Sequence, residues 1–228
     1  MLVEGIVYLF FIVLFAHLYG RYRQSKQLSY IEQYSFRSAI SRKVKQKYPH
    51  LSDEQLSLVF DGLRDYFYIC NQAKRRMVAM PSQVVDVAWH EFILFTRLYE
   101  GFCKKSQGRF LHHTPTEAMN SPTGAQQGIK RAWRLSCAKA NINPKTPTGL
   151  PLLFALDAML NIEDGFTYTR NCKDKNSPLY SDGYCAGHIG CAAGCGGSSG
   201  SASDSGGFFG GSSDSSDSSG CGSGCGGD

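Results

Sequence analysis

The sequence predicts an all-α protein: a small helical bundle of about five helices, with an N-terminal membrane helix and a disordered Gly/Ser/Cys-rich tail. Three observations lead there. Apolar residues recur at spacings of three and four through the middle of the chain, and no segment alternates apolar and polar residues over a strand's length. The start of the chain is almost wholly apolar over residues 5–19. From Gly194 onward the chain is nearly all Gly, Ser, Asp and Cys, with Phe208 and Phe209 as its large apolar residues. Such a tail buries too little surface to offset its chain entropy.

The expected organisation is a membrane anchor at 1–20, a basic juxtamembrane helix within 21–50, a helical domain over 51–180 and the tail at 181–228. The apolar head is followed, not preceded, by positive charge, and no small-residue cleavage site is visible. It therefore reads as an uncleaved single anchor with the rest of the chain in the cytoplasm. Residues 5–19 span about 22 Å as a helix, short of a hydrocarbon core of about 30 Å. Arg21 and Arg23 can snorkel to make up the difference.

The net charge is +5. Arg21, Arg23, Lys26, Arg37, Arg42, Lys43, Lys45 and Lys47 stand against Glu32 alone in residues 21–47. Basic residues beside an apolar segment suit anionic lipid headgroups. No nucleic-acid module accompanies the charge, which argues against a nucleic-acid partner.

Residues 26–47 read as one basic helix carrying Leu28, Ile31, Phe36, Ile40 and Val44, ended by Pro49. Ser52 with Gln55 forms a capping box that opens a helix over 53–75. Its stripe is Leu56, Val59, Phe60, Leu63, Phe67 and Cys70. After Met80-Pro81-Ser82 a helix over 83–104 is apolar nearly all round, the pattern of a strut buried mid-domain. A helix over 125–140 points Ile129, Ala132, Trp133 and Cys137 inward. Pro151 opens a short apolar helix over 151–160 whose one charge, Asp157, lies either at the solvent edge or against an interior partner, a Lys or Arg from a neighbouring helix being the plain candidate. Residues 161–170 are loop-like, with room for one short strand.

The polar residues that could carry chemistry gather in 84–113, which holds three of the six histidines. Asp86 and His90 are one helical turn apart, so a carboxylate can orient an imidazole. The pair fits half of a metal site, a general-base dyad or a buried structural hydrogen bond. Further partners are expected from Arg97, His112 or His113. His90 and Cys103 are thirteen residues apart, about 20 Å along a straight helix, so they do not share an ion. His90 with a loop histidine is the favoured combination. His112 and His113, adjacent in an extended segment, point opposite ways.

The chain has nine cysteines, an odd number unevenly placed, which fits a reducing compartment at least as well as a disulfide framework. Cys185, His188, Cys191 and Cys195 could close around structural zinc, though not at the spacing of a standard finger; free thiols in a flexible segment are the plainer reading. No phosphate-cradling glycine loop, nucleophile elbow or HExxH motif is present.

The block DVAWHEFILFTRLYEGFC, followed by GRFLHHTP, resembles the glycine-rich domain-containing protein-like family. Asp86, Trp89, His90, Tyr99, Cys103, Gly108 and His112 or His113 match that family's pattern, and the resemblance extends over residues 50–197. Phe92 stands where many plant-type members carry a second histidine, which removes one ligand. The resemblance implies the helical domain and carries no settled activity.

Three functions follow as expectations. The first is a membrane-anchored helical interaction or scaffold module. The second is a metal-binding enzyme or sensor of the zinc type, using Asp86 and His90. The third makes the Gly/Ser/Cys tail a substrate for peptide modification.

Overall fold

The computed structural model describes residues 2–113, 122–169, 184–185 and 189. Seven helices lie among them: α1 (Leu2–Glu32), α2 (Ser38–Lys47), α3 (Asp53–Ala73), α4 (Gln83–Leu94), α5 (Thr96–Ser106), α6 (Pro122–Lys139) and α7 (Leu152–Met159). The all-α expectation holds. Two-residue strands β1 (Tyr168–Thr169) and β2 (Tyr184–Cys185) pair in parallel, Tyr168 opposite Tyr184.

α1 corrects the expected division between anchor and basic helix. It is one helix of 31 residues, about 46 Å long. The side chains from Val3 to Arg23 are exposed, and those from Gln24 to Ile31 begin to pack, with Ile31 fully buried. The helix is long and apolar enough to cross a membrane, with a mean hydropathy of 1.8 over its most apolar window. The basic segment then breaks, because residues 33–37 leave the helix and turn two aromatic rings into the core. The Tyr34 ring centroid lies 4.6 Å from Phe102, and Phe36 lies 5.3 Å from Phe92. α2 resumes at Ser38 and buries Ile40 and Val44.

α3 forms as its local signals dictate. Ser52 Oγ accepts from the Gln55 amide at 3.2 Å, and the Ser52 amide donates to Gln55 Oε1 at 2.8 Å. The helix ends at Ala73, two residues before the expected point, and its C-cap Lys74 adopts φ 59°. α3 touches α1, α2, α4, α6 and α7, so it is the central strut. That role was expected of 83–104.

The expected helix over 83–104 is instead two helices. It breaks at Phe95, whose φ and ψ are −83° and 60°, and Leu94 is left 71% exposed. The packing gives the reason. Phe92 and Phe102, ten residues apart, would stand about 15 Å apart on a straight helix. The break brings their ring centroids to 5.3 Å, and Tyr99 to 5.3 Å from Phe92. Both helices thereby contribute to one aromatic core with Phe67 and Trp89. α6 buries Trp133 and Cys137 as expected, and the Trp133 indole donates to the Pro144 carbonyl. Pro151 sits at the N-cap of α7, one residue before the helix begins.

Candidate metal centre

α4 supplies the first two groups. Asp86 and His90 face the same way one turn apart, and His90 Nδ1 lies 3.2 Å from Asp86 Oδ2. The third comes from the segment after α5. His113 Nε2 lies 3.1 Å from Asp86 Oδ1, and its ring centroid is 4.1 Å from that of His90. Asp86 thus divides its two oxygens between two imidazoles. One ligand atom from each of the three residues falls within 4.8 Å of the others.

Of the two adjacent histidines, His113 turns inward and His112 remains exposed against the Phe110 ring, as extended backbone requires. The choice is made by a hydrogen-bonded chain. Trp89 Nε1 donates to Tyr99 Oη at 3.1 Å, and Tyr99 Oη donates to the Leu111 carbonyl. This ties the backbone two residues before His113 to α4 and α5. The Trp89 ring then flanks His113, with centroids 4.5 Å apart. Arg97, on exposed α5 surface, is not among the partners of Asp86.

The family-pattern residues around this cluster therefore divide by task. Trp89 and Tyr99 position the loop. Cys103 is fully buried, and burial raises its thiol pKa while the Leu111 backbone and the Tyr99 side chain oppose that rise. It braces the same loop and stands apart from the Asp86 cluster. Burial pushes the Cys70 thiol up to about 12 and the Cys137 thiol to about 11, so neither is a ready thiolate. Gly108 adopts φ +67°, and a Cβ there would come within 2.8 Å of the Arg23 guanidinium on α1.

Sequence reasoning singles out Asp157 but misses its role, which is to hold the start of α4, the helix that carries Asp86 and His90. Asp157 on α7 is buried and receives four hydrogen bonds. Ser82 Oγ donates to Oδ1 at 2.7 Å, and the Val84 amide to the same oxygen at 3.2 Å. The Gln83 and Phe166 amides donate to Oδ2 at 2.6 and 2.9 Å. The expected Lys or Arg partner is replaced by backbone amides. The first amides of α4 are free of intrahelical bonds and carry the positive end of the helix dipole, so a carboxylate suits them. Burial raises the Asp157 pKa, and the four hydrogen bonds pull against it. The signal was present in the lone charge of PLLFALDAML, but three of its four donors lie more than seventy residues away.

The electrostatics of the cluster favour the charged pair. Burial alone would push the Asp86 carboxyl up, but hydrogen bonds from His113 and His90 and the charge on those rings hold it down to about 2. The hydrogen bond to Asp86 raises the pKa of His90 against partial burial and the repulsion of Lys47. These two shifts bound a pH window. Asp86, ordinarily at 3.8, contributes stability that is complete above that value and lost as pH falls toward 2, about 2 kcal/mol in all. His90, ordinarily at 6.5, contributes stability that is complete below that value and lost as pH rises through its raised pKa. Chemical denaturation of the chelated protein should therefore give a stability plateau between about pH 4 and 6.5. A profile still rising above pH 7 would contradict the pairing.

A second expected result concerns the positioning chain. Tyr99→Phe leaves the buried Trp89 indole and the Leu111 carbonyl without their shared hydroxyl, at a cost of about 2 kcal/mol. Denaturant titration reads the loss. Histidine NMR should show His113 shifted more than His90.

Cys172, His188, Cys191, Cys195, Cys221 and Cys225, and the tail apart from residues 184–185 and 189, lie outside the described residues. Of that expected cysteine site only Cys185 is described, through the backbone pairing of β2 with Thr169 of β1.

No curated protein and no solved structure matches the chain. The sequence model of the UCP032817-like family matches residues 26–189. That match corrects the resemblance to the glycine-rich domain-containing protein-like family. The likeness is drawn from the Trp89–His90 block and extends over residues 50–197, whereas the family match starts at the packed end of α1 and runs through β2. The chain belongs to the UCP032817-like family.

Proposed function

We propose that the protein is a membrane-tethered metal-binding domain whose centre is Asp86, His90 and His113, suited to a zinc-type divalent ion. The observation that carries this reading is the convergence of the three ligand atoms within 4.8 Å, drawn from α4 and a loop 27 residues away. A structural carboxylate–imidazole pair needs one histidine. Here a second is brought in by a dedicated hydrogen-bonded chain. Nitrogen and carboxylate donors suit zinc, and a set of three protein ligands leaves a fourth position for water or another ligand. The His90 side chain is 50% exposed, so that position is open to solvent.

The tether is α1. Its exposed apolar residues from Val3 to Tyr19 suit lipid, and Arg21, Arg23 and Lys26 follow on the side that the positive-inside rule assigns to the cytoplasm. Because the same helix continues into the bundle, the domain is held at a set height above the bilayer, with no flexible linker between them.

The test is metal content and zinc titration of the full chain purified in detergent. One zinc per chain is expected, with affinity falling as pH drops through the raised pKa of His90, because protons compete for that imidazole. A chain that holds no zinc at micromolar concentration, and whose unfolding temperature zinc leaves unchanged, would remove the reading. Recovery of the chain in the soluble fraction without detergent would remove the tether.

A further inference from the structure

The bundle end nearest the apolar half of α1 carries charge contributed by three separate elements. α3 and α5 both run antiparallel to α1, and their C-terminal ends meet it at the same level. Gln24 donates to Asn71 Oδ1 at 3.3 Å, and Asn71 donates to Gln27 Oε1 at 3.0 Å and to the Ser106 carbonyl at 2.7 Å. Arg23 lies against Gly108. Asn71, Ser106 and Gly108 therefore meet α1 at positions 23–27, and Lys74, Arg75 and Arg76 follow directly on that end of α3. Those positions are about 5 to 10 Å along the helix from Gly20, where the apolar run ends.

This level is basic throughout. Arg21 and Arg23 come from α1. Lys74, Arg75 and Arg76 follow the last turn of α3 and are exposed. Arg109 follows α5 and donates to the Lys74 carbonyl. Residues 20–27, 71–77 and 101–113 contain no Asp or Glu. Complementing helix dipoles accounts for a cation at the end of α3, but Arg75 and Arg76 lie beyond the turn over which that effect acts. The basic residues of α2 are elsewhere. Lys45 pairs with Asp53 at the start of α3, about 27 Å along that helix from Asn71. Lys47 lies 3.5 Å from Asp164.

We propose that this end of the bundle is a docking surface for anionic phospholipid headgroups, formed by Arg21, Arg23, Lys74, Arg75, Arg76 and Arg109 around the point where α1 enters the bilayer. The inference rests on the reading of α1 as a membrane helix. Charge complementarity and distance select the occupant. On that reading Arg21 and Arg23 stand within about one Debye length, roughly 10 Å, of the headgroup plane, and guanidinium matches phosphate in a two-pronged geometry. The surface orients the domain as well as holding it, because its charges come from α1 and from the ends of the two helices that pack against it.

The experiment is native mass spectrometry of the full chain in detergent, titrated with phosphatidylglycerol or phosphatidylcholine. Wild type should retain phosphatidylglycerol about tenfold more strongly. Arg75→Glu with Arg76→Glu should abolish that preference, while Arg42→Glu with Lys43→Glu on exposed α2 surface should leave it within about twofold. Should the first pair disturb folding by circular dichroism, Arg75→Gln with Arg76→Gln gives the same reading with a smaller loss. Equal retention of the two lipids by wild type, or equal losses in the two double variants, would overturn the proposal. Failure of the parent reading looks different: the chain would then partition without detergent. An anchored chain indifferent to lipid charge sinks the docking surface alone.

Discussion

Asp157→Ala should destabilise the domain by about 3 kcal/mol. The carboxylate receives the Ser82 hydroxyl and the Gln83, Val84 and Phe166 amides, and Val84 and Ser82 are buried. Alanine leaves those two donors without water or protein to accept them, at about 1–3 kcal/mol each. The half-buried Gln83 and Phe166 amides regain part of their loss from solvent. Removing a buried charge returns some free energy, since burial raises the Asp157 pKa, but one carboxylate's relief does not match several orphaned donors. Asp157→Asn keeps one acceptor oxygen and turns an amide nitrogen toward backbone N–H groups, so it should lose about half as much. Urea unfolding in detergent checks both. A loss below about 0.5 kcal/mol for alanine would mean that α4 does not depend on this tie.

His113→Ala should weaken zinc binding by about a hundredfold or more. Losing a residue that merely orients a ligand costs about 10- to 100-fold, so losing a direct ligand belongs at or above that range. His112→Ala, one residue away, should leave affinity within about twofold, since its side chain is exposed and stacks on Phe110 outside the cluster. Competitive titration against a chromophoric chelator measures both. Equal effects at 112 and 113 would show that the binding is not at Asp86. Because Asp86 retains His90 in the alanine variant, its carboxyl should remain below its ordinary value, though less far.

The parts of this protein that depend on near neighbours were readable in advance. The capping box at Ser52 joins residues three apart, and it forms as expected. The inward stripes of α3 and α6 follow from helical spacing, and those residues are buried. Asp86 and His90 meet because they are one turn apart on α4. That adjacent histidines diverge also follows from local geometry, but not which one turns inward.

The rest depends on contacts between residues distant in sequence. His113 is selected over His112 by the tie from Trp89 through Tyr99 to Leu111. The break at Phe95 arises because Phe92, Tyr99 and Phe102 pack into one aromatic core, which outweighs the lost helical bonds. Asp157 caps a helix that begins more than seventy residues earlier. The basic surface exists because the ends of α3 and α5 meet α1 at one level, and neither end is adjacent to it in sequence. By itself, then, the sequence determined the all-α class, the start and inward face of α3, the apolar head and the Asp86–His90 pair, all set by spacings of a few residues. Only the tertiary structure decided the third member of the cluster, its buried support and the placement of charge, because those are set by side chains that folding alone brings together.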